Sequence, residues 1–537
     1  KYLLIKTHSF WKKKLTLKRT FFVLSLFAIA FGLSFHIFYA AYNSVIDYDM
    51  AKVLSYTRLY PDYYSYLTNL KFGQGIATQV YLLSQISHPT VQLLKLISYS
   101  FFILTFVSAL LISRRISSSD IARSRTVSIA TISTSLIFFD ATVLQYLGSY
   151  GMLVYCQSFL FGVLLVRFAS NEVWTNKQFK VKNTLYWIPI FIFATYIDAR
   201  FSYYVCMVFA SSVLLYIRKP NDLVNTIKFG SFVGIFLLLP IFIQFYFVPM
   251  LLSYQPNHVK HLLLFEPRNF DTITGFLITN TNLLLETLVG DSRYEKIFLL
   301  LVVALGLFTQ RKTQFGKGIF LLMILSFGFQ IVASVFTLYP FGSIRYSAAL
   351  LGPILILYFL GIYQLFSLVW LFISGRNSRL ATTLVIVIAC FYVSIPYMEK
   401  QISIRDRANL KEIQLVKRLR EFDDRQIWCD SGSEKIVLGY GMNCQLIGTW
   451  NYQTGAHESY DFYQKVEAGL SASPDQVAVV LFKVMQKPYF DPILTILDSL
   501  RFDKGESLHA SLHLYTYNRQ TLKKEMEEQS LKKEEPQ

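Results

Sequence analysis

Two acids, Asp47 and Asp49, stand two positions apart where a long apolar stretch ends and polar sequence begins. A carboxylate within reach of a hydroxyl takes its proton as a general base, and a neighbouring acid can orient the same group. The spacing alone does not bring the pair together. They share a face in an extended chain, whereas in a helix they point about 200° apart. One arrangement leaves Asp47 in the linker and starts a helix at Asp49 that runs through Met50-Ala51-Lys52-Val53-Leu54. Taken alone, the pair is explained more plainly by a solvated Asp47 and an Asp49 that serves as a helix N-cap.

The elements that must position these acids are apolar helices. The chain has 537 residues, of which 53% are hydrophobic and 16% aromatic, and its mean hydropathy is +0.39. That is too apolar for one soluble core and is the composition of a polytopic membrane protein. About eleven stretches approach the roughly 20 apolar residues that cross a bilayer. They read 20–42, 92–113, 126–147, 150–167, 185–197, 200–217, 229–252, 295–309, 318–338, 347–372 and 380–397. The first is too long for the core of a signal peptide and is read as a retained helix.

The formal charge of +18 does not point to nucleic acid, because the basic residues sit in the short connections. Lys12, Lys13, Lys14, Lys18 and Arg19 precede the first segment, Arg114, Arg115, Arg123 and Arg125 follow the second, and Lys177, Lys180 and Lys182 follow the fourth. The same pattern recurs at Arg218, Lys219 and Lys228, at Arg311, Lys312 and Lys317, and at Arg376 and Arg379. Every second connection is basic, so residues 1–19 and these loops are assigned to the cytoplasm. The acids Asp47, Asp49, Asp62, Glu266, Asp271, Glu286, Asp291 and Glu295 fall in the other set, which is outside.

Residues 20–397 therefore form a transmembrane domain with two long outside loops, 43–91 and 253–294. The first loop has a turn at Leu59-Tyr60-Pro61-Asp62 and then the aromatic run Tyr63-Tyr64-Ser65-Tyr66. Tyrosines of this kind belong at the headgroup level, so interfacial or re-entrant helices are expected there. The second loop has Leu262-Leu263-Leu264-Phe265 and Phe276-Leu277-Ile278, runs too short to span, and is expected to lie on the membrane over a cavity. The short segments at 185–197 and 200–217 are parted by Ile197-Asp198-Ala199-Arg200, a tight hairpin or a broken pair whose two charges must pair or face water.

Residues 398–522 turn polar and alternate helix and strand patterns, a small α/β domain on the outer face, before a charged tail at 523–537. Ile413, Val416, Leu419 and Phe422 have helical spacing, as does 493–500; Ile436-Val437-Leu438, 477–482 and 512–515 read as strands. Cys429 and Cys444 are spaced for a disulfide. Cys156, Cys206 and Cys390 lie in apolar segments and are small core residues. His258 and His261 are three apart, but with no HExxH pattern they do not make a zinc site, and no phosphate-binding glycine loop or Rossmann fingerprint is present.

The acidic pair at the start of the first outside loop, followed by an apolar stretch and then Leu93-Leu94-Lys95-Leu96-Ile97-Ser98, resembles the GT-C superfamily of polytopic glycosyltransferases. This superfamily includes the protein O-mannosyltransferases and the bacterial lipid A sugar transferases. Phe139-Asp140 with Tyr146 and Tyr150-Gly151-Met152-Leu153 looks like its third-to-fourth helix turn, and Arg345-Tyr346 followed by Pro353 like its late outside Arg-Tyr entering a helix. The likeness covers most of residues 15–400. The chain departs from it in having Asp47-Tyr48-Asp49 in place of Asp-Glu, and Gly73-Gln74-Gly75-Ile76-Ala77 where the family has a Pro-rich stretch.

The resemblance implies a mainly α, GT-C-like membrane enzyme that moves a sugar from a polyprenyl-phosphate donor to a glycan, lipid or protein on the extracytoplasmic face, in the cell (inner) membrane. A carboxylate would deprotonate or orient the acceptor hydroxyl as the phosphate leaves the anomeric carbon; Asp47 is the first choice and Asp49 the second. Cations that grip the departing phosphate would lower the barrier, and Arg345, Arg200, Lys260 and Arg268 are the outward candidates, with Arg58 in reserve. The resemblance leaves metal dependence open, with Mg²⁺ or Mn²⁺ able to bridge a carboxylate and the phosphate. Membrane lipids are partners on this reading and nucleic acid is not. The competing readings are a transporter or flippase of lipid-linked or small polar substrates, and a non-catalytic membrane scaffold. A transporter should show charged or Gly/Pro-broken mid-helix positions in two similar halves, which the sequence does not clearly carry.

Overall fold

The computed structural model describes residues 48–70, 74–86, 91–117, 150–174, 186–198, 201–216, 269–289, 293–337, 340–342, 344–372, 417–422, 426–430, 433–448, 450–451, 456–457, 476–482, 495–503, 506–509 and 512–518, with a few isolated positions between them. The apolar segments at 20–42, 126–147 and 380–397, nearly all of 229–252, and His258 and His261 lie outside the described residues.

What is described is mostly helical. In chain order the helices are α1 (Tyr48–Leu59), α2 (Tyr63–Leu70), α3 (Gln74–Ile86), α4 (Val91–Ile116), α5 (Tyr150–Phe168), α6 (Trp187–Ile197), α7 (Phe201–Tyr216), α8 (Phe270–Val289), α9 (Arg293–Gln310), α10 (Gln314–Val335) and α11 (Ile344–Phe372). Among them, three stretches are long and apolar enough to cross a membrane: Leu96–Ile116, Gln314–Val335 and Ser347–Leu368. Two further apolar helices, α6 and α7, are shorter.

The bundle is built around α11, which packs on α4, α5 and α9. Lipid tails are as apolar as a leucine, so close backbone approach rather than hydrophobic segregation must hold such helices together. The contacts show this approach. A methyl on Gly162 of α5 would run into the backbone of Ala349, and one on Gly306 of α9 into the carbonyl of Leu357. Buried polar groups add ties: the Gln330 amide donates to Tyr204 Oη at 3.0 Å and accepts from Ser347 Oγ at 3.0 Å, linking α7, α10 and α11. Lys296 of α9 joins α8 by an ion pair to Glu286 at 2.9 Å and a hydrogen bond to Asn282 at 2.9 Å.

The first long loop is helical, as its composition suggests. Tyr60-Pro61-Asp62 breaks it between α1 and α2, and Asp62 Oδ1 accepts the Ser65 amide at 2.9 Å as an N-cap. Hydrogen bonds from the Ser65 side chain and backbone hold the Asp62 carboxyl below its ordinary value. In the second loop the apolar run at 276–278 belongs to a 20-residue helix, α8, longer than the run alone implies. The Asp198 junction is a broken pair rather than a packed hairpin: Asp198 is extended at φ −141°, and α6 packs on α5 while α7 packs on α10.

The C-terminal part holds a five-stranded mixed sheet in the order β2-β1-β5-β7-β6. Its strands are β1 (Ile427–Asp430), β2 (Gln445–Gly448), β5 (Gln476–Phe482), β6 (Glu506–His509) and β7 (Leu512–Asn518); β3 (Trp450–Asn451) and β4 (Ala456–His457) form a separate pair. The expected strands at 477–482 and 512–515 are β5 and β7. Ile436-Val437-Leu438 is not a strand but part of helix α12 (Ser433–Gly439). Two causes make it helical. The Ser433 amide and hydroxyl bond Asp430 Oδ1, both at 2.7 Å, which turns the chain directly after β1. The neighbouring β1 and β2 are parallel, so a crossover must join them. A disulfide between Cys429 and Cys444 spans this crossover, with Cα atoms 6.1 Å apart.

The sheet is buried on both faces, which is why β5 reads as an unbroken apolar run. Val477, Val479 and Leu481 face a core with Trp428, Leu497 and Phe502. Ala478 and Val480 face the other way, into the same apolar cluster as α12 and the helical bundle.

Candidate functional site

Helix α1 is the element that carries Asp49 at its second position. It packs on α2 and α3 on one side and on α12 of the sheet unit on the other. Its buried residues Val53 and Leu54 anchor it, while the Ser55 and Thr57 hydroxyls return to backbone carbonyls of its own preceding turn. Arg58 ends the helix, exposed, with its guanidinium against Gly441 just beyond α12. Nine positions separate Asp49 from Arg58, about 13 Å along the axis, so the two stand at opposite ends of one helix.

Beneath this helix lies a polar seam between apolar helices. Thr78 of α3 shares hydrogen bonds with Tyr63 of α2 at 2.7 Å and with Tyr196 of α6 at 2.6 Å. At the next position of α3, Gln79 and Gln157 of α5 exchange both amide bonds at 3.1 and 3.0 Å. Next to Gln157, Ser158 Oγ donates to Asp198 Oδ2 at 2.9 Å, and Asp198 is only 7% exposed. Gly75 lets α3 come this close, because a methyl there would strike the backbone of Tyr196 and Ile197. Tyr81 Oη donates to the Pro61 carbonyl at 2.6 Å, which fastens the turn between α1 and α2 over the seam.

Of the residues singled out from the sequence, Asp49 lies in the first turn of α1 and Arg345 in the first turn of α11 rather than in the loop before it. Arg58 lies at the α1–α12 contact. Asp47, Arg200, Lys260 and Arg268 lie outside the described residues. Asp49 and Arg58 lie near opposite ends of one helix, and Arg345 lies on another. Among the described residues no group of three His, Cys, Asp or Glu is placed to hold a metal ion. A divalent ion held by the acidic pair would need Asp47 as well as Asp49.

Sequence reasoning did not find the seam. Asp198 carried a signal, a charge between two apolar helices that must be satisfied. Its partner Ser158 and the Gln79–Gln157 pair carried none, since single hydroxyls and amides inside apolar segments are common. On the far side of α1, burial raises the Glu434 carboxyl of α12 above its ordinary value; nearby Lys435 opposes the shift and Asp430 adds to it.

No protein-family model matches the chain, and no curated protein is significantly similar to it in sequence.

Proposed function

We propose that the chain is an integral membrane glycosyltransferase that takes a sugar from a polyprenyl phosphate on the extracytoplasmic face and passes it to a hydroxyl of a glycan, lipid or protein. The observation that carries this reading is the setting of α1. An acid-bearing helix lies between a tyrosine-rich helical shelf and a disulfide-linked sheet unit, above a polar seam that enters the apolar bundle. A water-soluble acceptor and a lipid-borne donor have to meet at such a boundary.

On this reading the bundle has about eleven spans, counted by apolar length, with the N-terminus in the cytoplasm by the charge of the loops. The Cys429–Cys444 disulfide supports an outer position for the sheet unit, because such bonds persist in oxidising compartments. Asp47, or else Asp49, takes the acceptor proton while the phosphate departs from the anomeric carbon, and a single displacement of this kind inverts that carbon. Arg345 would meet the growing phosphate charge, aided by the positive end of the α11 dipole.

Asn in place of each acid changes charge with little change in shape. With purified protein and a panel of polyprenyl-phosphate sugars, we expect one of Asp47→Asn and Asp49→Asn to lose about 10²–10⁴ in transfer rate with donor binding kept. Full transfer by both single variants and the double would remove the acids from the mechanism. Movement of intact donor across the bilayer without sugar release would favour the flippase reading instead.

A further inference from the structure

At the end of the bundle remote from α1, a cleft of about 440 Å³ opens between α4, α5 and the α9–α10 connection. On α5 its lining residue Arg167 lies ten positions beyond Gln157 of the polar seam, about 15 Å along the axis. The cleft has the volume of a small-molecule site. Arg115, in the last turn of α4, and Arg167, in the last turn of α5, both line it. Both are exposed, and neither has an ion-pair partner among the described residues.

Cations in last turns are common because they complement the helix dipole, so the arginines alone would say little. The cleft adds two features. First, α5 runs on into a six-residue π-helical turn, Ala169–Trp174, which brings Ser170 and Asn171 to the cleft beside Arg167. The wider turn is held in place: Tyr216 Oη donates to the carbonyls of Val173 and Trp174 at 3.2 and 2.5 Å, and Trp174 packs edge-on against Phe315. Such turns are uncommon and cluster at functional positions. Second, the N-terminus of the 22-residue α10 reaches the cleft at its N-cap Thr313, whose hydroxyl accepts the Gly316 amide, and at Gln314, so the positive end of this helix lies beside the two guanidiniums. Gln310 also lines the cleft, and the remaining wall is apolar, with Leu111, Ile112, Ile116 and Phe315.

Two arginines, an amide side chain, a hydroxyl and a helix N-terminus are ligands for a phosphate ester, and the apolar wall suits the first carbons of an acyl chain. We infer that this cleft binds the phosphate-bearing headgroup of an anionic membrane lipid. It is separate from the acid-bearing site, and the inference does not depend on the function proposed for that site.

The test uses the full-length protein in neutral detergent, titrated with phosphatidylglycerol, with phosphatidylcholine or with inorganic phosphate, and reads bound lipid by native mass spectrometry and melting temperature. Phosphatidylglycerol should be retained and raise the melting temperature, phosphatidylcholine should not, and Arg115→Gln with Arg167→Gln should weaken retention at least tenfold. Asn171→Asp, which sets a negative charge beside the phosphate with no added bulk, should weaken it as well, so a fold-preserving variant tests the same site. Undiminished phosphatidylglycerol retention in either variant, or equal retention of phosphatidylcholine, would overturn the assignment. Equal stabilisation by inorganic phosphate alone would also overturn it, showing a site for a soluble phosphate rather than a lipid.

Discussion

At the scale of single residues, the decisive groups are carboxylates whose neighbours set their use. Asp198 is buried between helices, where an ion is costly unless hydrogen-bonded, and Ser158 supplies one of its bonds. Ser158→Ala should therefore lower stability by about 1–3 kcal/mol, the cost of leaving part of a buried polar group unsatisfied. A melting temperature equal to that of the wild type would show that the carboxylate is held by other groups. The sequence made Asp198 conspicuous but could not name its partner. The two lie 40 positions apart, and the facing of two apolar helices depends on packing that hydropathy does not encode. Asp47 and Asp49 are the opposite case: their types and spacing were plain, while the direction each side chain takes depends on where α1 begins.

At the scale of elements, the two halves of the molecule were legible to different degrees. Apolar length located α4, α5, α6, α7, α9, α10 and α11 to within a few residues, because that property needs no knowledge of neighbours. Ile436-Val437-Leu438 was misread because three apolar residues fit either a strand or a helix face, and the cap and crossover that decide between them lie outside the run. Close helix contacts were not legible, yet they are testable. Gly162→Leu should push α5 off α11 and cost about 1–3 kcal/mol or more; the measurement is retention of folded protein in detergent on heating, and wild-type behaviour would contradict the observed approach.

Helix α12 adds a dependence on pH. The folded carboxyl of Glu434 titrates above the ordinary value of 4.5, so the folded state holds the proton more tightly than the unfolded chain. Its stabilising contribution is complete below the ordinary value and is lost as the pH rises through the raised one. Glu434→Gln should thus flatten the stability profile above pH 4.5 and leave the protein no less stable at neutral pH. An unchanged profile would show that burial of this group is not the cause.

At the scale of the whole molecule, α1 joins an apolar bundle to a sheet unit. The Cys429–Cys444 bond braces that unit next to the contact with α1. Replacing both cysteines with serine should cost about 2–4 kcal/mol and remove the sensitivity of the melting temperature to reductant. If reductant leaves wild-type melting unchanged, the bond does not contribute. Along the sequence the apolar character ends near residue 397 and a polar alternation begins, and the described strands all lie beyond that change. The sequence did not reveal that one face of the sheet shares its apolar cluster with the bundle, since that depends on the tertiary placement of α1.

As the glycosyltransferase proposed above, this molecule would break the bond between a sugar and a polyprenyl phosphate. The most direct measurement is a single-turnover assay of the purified chain in sealed proteoliposomes, with the sugar of the donor radiolabelled and the donor placed in one leaflet. Label is expected to leave the lipid for a soluble or lipid acceptor, only when donor and acceptor share the face that carries the sheet unit, and not in the Asp47→Asn, Asp49→Asn double variant. Donor that stays intact, or that merely exchanges leaflets, across the panel of polyprenyl-phosphate sugars would contradict the proposed function.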